Sequence, residues 1–183
     1  MTAALIHVRR MEPSDAPAVA RLHAESWRRT YRGVLPDAFL DGDVFAEREA
    51  AWRTLLAGAP PGDAGFVAVE GDRIVGLAHA DADGDATWGT FVTALHVDPD
   101  RHGRGIGRAL LAAVARDVVR RGGPPTFALT VFAVNTAACA FYARVGGQAV
   151  ERLVAAAPGG GTIDKWRYAW PDARVLLEGD GGR

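Results

Sequence analysis

Residues 96–118, HVDPDRHGRGIGRALLAAVARDV, constrain the fold more than any other stretch. Pro99 cannot continue strand pairing, so the run before it, TWGTFVTALHV, ends as a strand near Asp98. Ile106, Leu110, Leu111, Val114 and Val118 then share one helical face, and Arg104, Arg108, Arg116 and Arg120 lie mostly elsewhere. Between strand and helix stand Gly103, Gly105 and Gly107. Glycine inside a helix costs about 1 kcal/mol relative to alanine, so three at a helix start need a reason. A helix N-terminus supplies N–H groups without partners and the positive end of the helix dipole. Glycine lets an anion approach those groups with no Cβ in the way. Arg101, Arg104 and Arg108 are placed to add charge-assisted contacts.

Spacing narrows the phosphate ligand. A dinucleotide loop, G-x-G-x-x-G, needs its last glycine where Arg108 stands. A Walker loop counted from Gly103 meets Arg108 in place of its second glycine and Ala109 in place of its lysine. Both nucleotide patterns fail.

The remaining pattern surrounds this unit with one sheet. LIHVRR, 5–10, reads as a strand, and a helix follows a capping cluster at Ser14 and Asp15. Gly33 and Pro36 break that helix; a second covers about 45–56, and 58–65 is a loop. GFVAVEGDRIVGLAHAD reads as a hairpin turning at 70–72. After the glycine helix come a strand, TFALTVFA, and a short helix, TAACAFYARV. QAVERLVAA and TIDKWRYAW then form an antiparallel pair across 158–161. A last turn starts at Asp172, and EGDGGR frays. This order predicts a mixed α/β (α+β) chain, one domain over 1–183.

Bulk properties exclude several function classes. A formal net charge of -1 provides no field for nucleic acid or an anionic membrane. No apolar run nears the roughly 20 residues that span a bilayer, and MTAALIHVRR lacks the positive region of a signal peptide. The single cysteine, Cys139, excludes an internal disulfide and a cysteine zinc cluster, which fits a reducing, cytoplasmic setting. The five histidines show no ligand spacing, so no metal is expected.

Two ordered motifs resemble the GNAT superfamily of acyl-CoA N-acyltransferases. LHVDPDRHGRGIGRALL is similar to its strand ending L-x-V followed by [Q/R]-x-x-G-x-[G/A] at a helix start, with His102 where Gln or Arg is usual. NTAACAFYARVGG, 135–147, resembles N-x-x-A-x-x-F-Y-x-x-x-G-F, with Gly147 in the last, aromatic position. The resemblance implies a mostly antiparallel twisted sheet, splayed at the cofactor site and flanked by about four helices. The cofactor core is then about 66–155 and the acceptor-side helices about 14–57.

The family's chemistry assigns roles by position. Leu95 and Val97 would pair with the pantetheine arm of acetyl-CoA, and the loop His102, Gly103, Arg104, Gly105, Ile106, Gly107 and Arg108 would hold the pyrophosphate. Asn135 would bond the arm, an N–H near Val97 would stabilise the oxyanion, and Tyr142 would protonate the leaving thiolate. The strand WGTFVTA carries no acid for a general base. His96 stands inside the motif with a suitable unperturbed pKa, and His23 and Glu25 on the first helix are the other candidates.

ESWRRTYRGVLPDAFLD, 25–41, resembles a subgroup signature, W-x-x-T-Y-x-G-x-[LI]-P, on the acceptor wall. It makes Trp27 and Tyr31 substrate-binding candidates, with Asp37, Asp41 and Asp43 placed to attract a cationic amine. The expected activity is acetyl transfer from acetyl-CoA to a small primary amine, including a polyamine. Acetylation of a protein N-terminus or lysine is an alternative, as is a non-catalytic acyl-CoA sensor. Many family members are dimers, which extends the expectation to a homodimer.

Overall fold

Alternating apolar runs build one seven-stranded sheet, and its two faces are covered by different helices. The structure, a computed structural model, describes residues 5–42 and 44–178. The strands are β1 (Ile6–Arg10), β2 (Ala64–Glu70), β3 (Arg73–Asp85), β4 (Gly89–Val97), β5 (Phe127–Phe132), β6 (Gln148–Ala156) and β7 (Thr162–Trp170). The helices are α1 (Ala16–Thr30), α2 (Asp37–Leu40), α3 (Val44–Ala57), α4 (Ile106–Arg120) and α5 (Thr136–Arg144). The sheet order is β1-β2-β3-β4-β5-β7-β6. Every neighbouring pair is antiparallel except β4 and β5, which run parallel.

Side chains alternate across a strand, so each buried strand feeds both cores. On β2, Phe66 and Ala68 join the cluster under α4 and α5, while Val67 and Val69 join the cluster under α1 and α3. That two-sided burial explains why FVAV reads as an unbroken apolar run. α4 lies against β3 at Gly76, where a Cβ would stand 2.9 Å from Ile106 Cγ2 and 3.0 Å from Leu110 Cδ1. Gly76→Ala is therefore expected to lower stability by about 1–3 kcal/mol through overpacking. Urea unfolding checks this: the midpoint should fall with an unchanged slope, and an unchanged midpoint would contradict the contact.

Three features differ from the sequence expectation. The break after the first helix contains the four-residue helix α2, a fifth helix where about four were expected. Its Leu40 is fully buried with Leu35, Phe132 and Ile163, so distant packing rather than helical periodicity holds it. β3 continues through the polar ADGD to Asp85, because Asp85 pairs with Gly89 on β4 through backbone contacts that no apolar pattern signals. The first helix begins at Ala16, and the Asp15 side chain does not cap it. Asp15 instead accepts from the Glu12 N–H at 2.8 Å and pairs with Arg9 at 2.7 Å. The expectations for Asp43 and for the tail beyond Glu178 lie outside the described residues.

Candidate active site

The parallel pair is short, and the site begins where it ends. β4 and β5 pair only from Thr90–Val92 to Phe127–Leu129. Beyond that β4 stays with β3 up to Val97, and β5 stays with β7 up to Phe132. The two strands thus part, leaving the inner edge of β4 from Thr93 to Val97 without a strand partner. The opening forms a cavity of about 1150 Å³. Leu95, His96 and Val97 line it from β4, Trp27 from α1 and Tyr31 from its C-cap, and Asn135 and Tyr142 from the α5 side.

The glycine loop closes one end, and each glycine there has its own cause. Gly103 and Gly105 both have φ 78°, a left-handed conformation in which other residues are strained. Gly105 is the N-cap of α4, and its carbonyl accepts the first helical bond, from Ala109 N–H at 3.0 Å. The N–H groups of Ile106, Gly107 and Arg108 precede that bond and have no acceptor within the helix. Gly107 is needed for space: a Cβ would lie 3.1 Å from the Phe141 ring. Chain neighbours aside, no described residue lies within 4 Å of a Cβ built at Gly103 or Gly105. A phosphate group fits such an open, donor-rich helix start.

The arginines differ from expectation. Glu70 holds Arg101 at 2.7 Å and Arg104 at 2.9 Å, and Arg104 does not line the cavity. Arg101 also pairs with Asp98 at 2.9 Å, and Arg108 donates to the Glu178 carbonyl at 2.7 Å. Arg101 and Arg108 still line the cavity, joined by Arg144 from α5, which the sequence did not single out. His102 Nε2 lies 3.2 Å from the Val97 carbonyl, so the unusual residue at the head of the loop ties the loop to the end of β4.

Tyr142 is 7% exposed and packs against Tyr168 and Trp170, at ring distances of 5.6 and 6.1 Å. Burial pushes its pKa up, so the phenol keeps its proton. Asn135 caps α5: its Oδ1 accepts from Ala138 N–H at 3.1 Å and its Nδ2 donates to Tyr31 Oη at 3.4 Å. Gly147, at the family's aromatic position, lies under Trp170, whose Cζ2 would be 2.7 Å from a Cβ there. The aromatic volume comes instead from β7, where Trp170 stacks on Phe127 at 4.6 Å.

Two imidazoles meet at the other end of the cavity. His96 Nδ1 is 3.1 Å from Ser26 Oγ, and burial lowers its pKa to about 4. Its ring lies 4.2 Å from that of His23. Trp52 Nε1 can only donate, and it lies 3.2 Å from His23 Nδ1. The His23 proton therefore sits on Nε2, which faces away from that bond. Burial first, then the charges of His96 and Arg48, hold the His23 pKa at about 2. In this tautomer His23 has no free lone pair and is a donor, so it drops out as a base. Glu25 is exposed and does not line the cavity. Asp37 and Asp41 are held by Arg32 at 3.0 and 2.6 Å and do not line it either. Asp63 joins His79 and Asp81 of β3, and the three bring ligand atoms within 4.8 Å of one another. His79 Nδ1 already lies 2.9 Å from Thr93 Oγ1, and Asp63 accepts from Ala82 N–H at 2.9 Å, so this group braces the strands.

Both imidazoles make folding pH-dependent. The unfolded chain binds their protons near pH 6.5, and the fold resists until about 4 for His96 and about 2 for His23. More protons on the unfolded state mean that stability falls as pH drops below 6.5. By pH 4.5 the two histidines together are expected to remove roughly 5 kcal/mol. The carboxylate of Asp15, lowered by Arg9, loses its contribution only below about pH 4, so the window is specific to histidine. Urea midpoints at pH 7.5 and 4.5 check this, and equal values would contradict it.

A sheet parted at one parallel pair, with a helix N-terminus under the opening, is the frame of a transferase that holds an extended, phosphate-bearing acyl carrier. The model for the Acetyltransferase (GNAT) family matches residues 19–147, most of the chain, and the chain belongs to that family. It is an acetyl-CoA-dependent acyltransferase. A Bacillus subtilis (strain 168) protein named uncharacterized N-acetyltransferase YuaI is 27% identical over 119 residues, 64% of this chain and 67% of the relative. The fold is similar to that of the Thermoplasma acidophilum paia N-acetyltransferase in complex with coenzyme A, with a TM-score of 0.69 and 17% identity. That match covers 88% of this chain and 98% of the other. It is also similar to yncA from Salmonella typhimurium with acetyl-CoA, with a TM-score of 0.66 and 17% identity over 90% and 92% of the two chains. Among the described residues no helix is long and apolar enough to cross a membrane.

Proposed function

We propose that the chain moves an acetyl group from acetyl-CoA to the primary amine of a small molecule, by direct attack within a ternary complex. The observation that carries this is the shared cavity: the free edge of β4, the open start of α4 and Tyr142 border one space. In this reading the pantetheine arm lies along Leu95–Val97 as an added strand, and the N–H groups of Ile106–Arg108 hold the pyrophosphate. A backbone N–H near Val97 stabilises the oxyanion as the amine attacks the thioester carbonyl. The C–S bond then breaks, and Tyr142 protonates the departing sulfur.

His96 takes the proton from the amine nitrogen. An imidazole held near 4 is a poor base toward a free ammonium ion. Nitrogen that has begun to bond the carbonyl is much more acidic, and a neutral imidazole can accept its proton. Enclosure by Trp27, Tyr31 and Phe132 supports a small acceptor over a peptide. Thiol release from acetyl-CoA with a panel of small amines tests the reading. Amine-dependent release is expected. Tight CoA binding with no release from any amine would leave only an acyl-CoA-binding domain.

A further inference from the structure

The acceptor end of the cavity contains donors that the protein does not use. His23 is 7% exposed, carries its proton on Nε2, and that atom is buried without a partner. Arg48 Nε is likewise buried without a partner. Both residues line the same cavity and both border Trp27: the His23 ring lies 5.1 Å from the indole, and the Arg48 guanidinium lies over it at 5.5 Å. Arg48 keeps its contact to Glu47 through a different nitrogen, at 2.7 Å. Lys165 also lines the cavity, 5.3 Å above the Phe132 ring, and no described carboxylate pairs with it.

The charge of the lining has one sign. Arg48, Arg101, Arg108, Arg144 and Lys165 border the cavity, and among its described lining residues there is neither Asp nor Glu. Arg101 and Arg108 lie beside the glycine loop, whereas Arg48 and Lys165 lie beside the aromatic wall. A polyamine would bring further positive charge into this space and leave both buried donors unpaired. A buried N–H without an acceptor is costly, and an anionic oxygen removes that cost.

We infer that the acceptor is an amine that also carries a carboxylate, bound by Arg48 Nε–H and His23 Nε2–H with Lys165 adding charge. This deepens the proposed function and rests on it for the amine. The carboxylate fixes one end of the molecule against Trp27, and the amine is then directed along the cavity toward His96 and the thioester. His23 and Arg48 thereby select the acceptor, and they take no part in bond making.

Calorimetry on the protein saturated with CoA tests this, with a panel of α-, β- and γ-amino acids, their carboxamides, and spermidine. At least one amino acid should bind ten times or more tightly than its carboxamide, and spermidine should bind more weakly still. Arg48→Met should bring the acid-to-amide ratio close to one, and Arg48→Lys, which restores charge without the Nε–H, should recover part of it. The CoA titration of each variant checks that it folds. Equal binding of acids and amides, tighter binding of spermidine, or an acid preference that survives Arg48→Met would overturn the inference. Because binding is read without turnover, a protein that releases no thiol with any amine fails the transfer reading alone.

Discussion

Tyr142→Phe is expected to lower kcat by about 100-fold while the KM for acetyl-CoA changes by less than about threefold. The reason lies in what the hydroxyl does not do. No hydrogen bond to it stands among those of the described residues, and Tyr142 lines the cavity. The ring supplies the packing on Phe141, Tyr168 and Trp170, and phenylalanine retains that ring. Loss of the oxygen thus removes a proton donor and little else. A thiolate is already a fair leaving group, which places the effect at the lower end of the 10²–10⁴ range for general acids. Steady-state kinetics with varied acetyl-CoA decide it. An unchanged kcat would reduce Tyr142 to a core residue.

Gly105→Glu is expected to weaken acetyl-CoA binding by more than about 100-fold, two contributions acting together. At φ 78° any side chain is strained, by about 1–2 kcal/mol. A carboxylate there also occupies the positive end of α4, where the pyrophosphate is proposed to lie. Gly105→Ala separates the two. Alanine has the strain without the charge, and chain neighbours aside no described residue lies within 4 Å of its Cβ. Both variants should lose similar stability in urea, but only the glutamate should abolish binding in calorimetry. Equal binding losses would assign the effect to the loop conformation.

The sheet and its helices were legible because their signals are local. Alternation marked the strands, Pro99 ended β4, and the apolar stripe from Ile106 to Val118 marked α4. The proposed cofactor end was legible as a candidate for the same reason: a glycine loop, a helix start and Tyr142 stand in two compact motifs. The acceptor end was not, since its chemistry depends on contacts between distant residues. His23 became a donor only because Trp52 on α3 occupies its other nitrogen, and Arg48 reaches the cavity across Trp27. Glu70 claims Arg101 and Arg104 from more than 30 positions away, which no spacing rule reveals. Gly147 loses an aromatic that Trp170 returns from β7. The acids at 37 and 41 suggested a site for a cationic amine, but Arg32 neutralises them outside the cavity.

The parted edge of β4 and the start of α4 are together proposed to receive acetyl-CoA. Backbone amide NMR shifts during titration with CoA test it most directly. The largest shifts are expected on the amides of Leu95, Val97 and Gly103–Arg108, with much smaller changes around α2 and the β6–β7 turn. Saturable binding that leaves the amides of Ile106, Gly107 and Arg108 unmoved would contradict it.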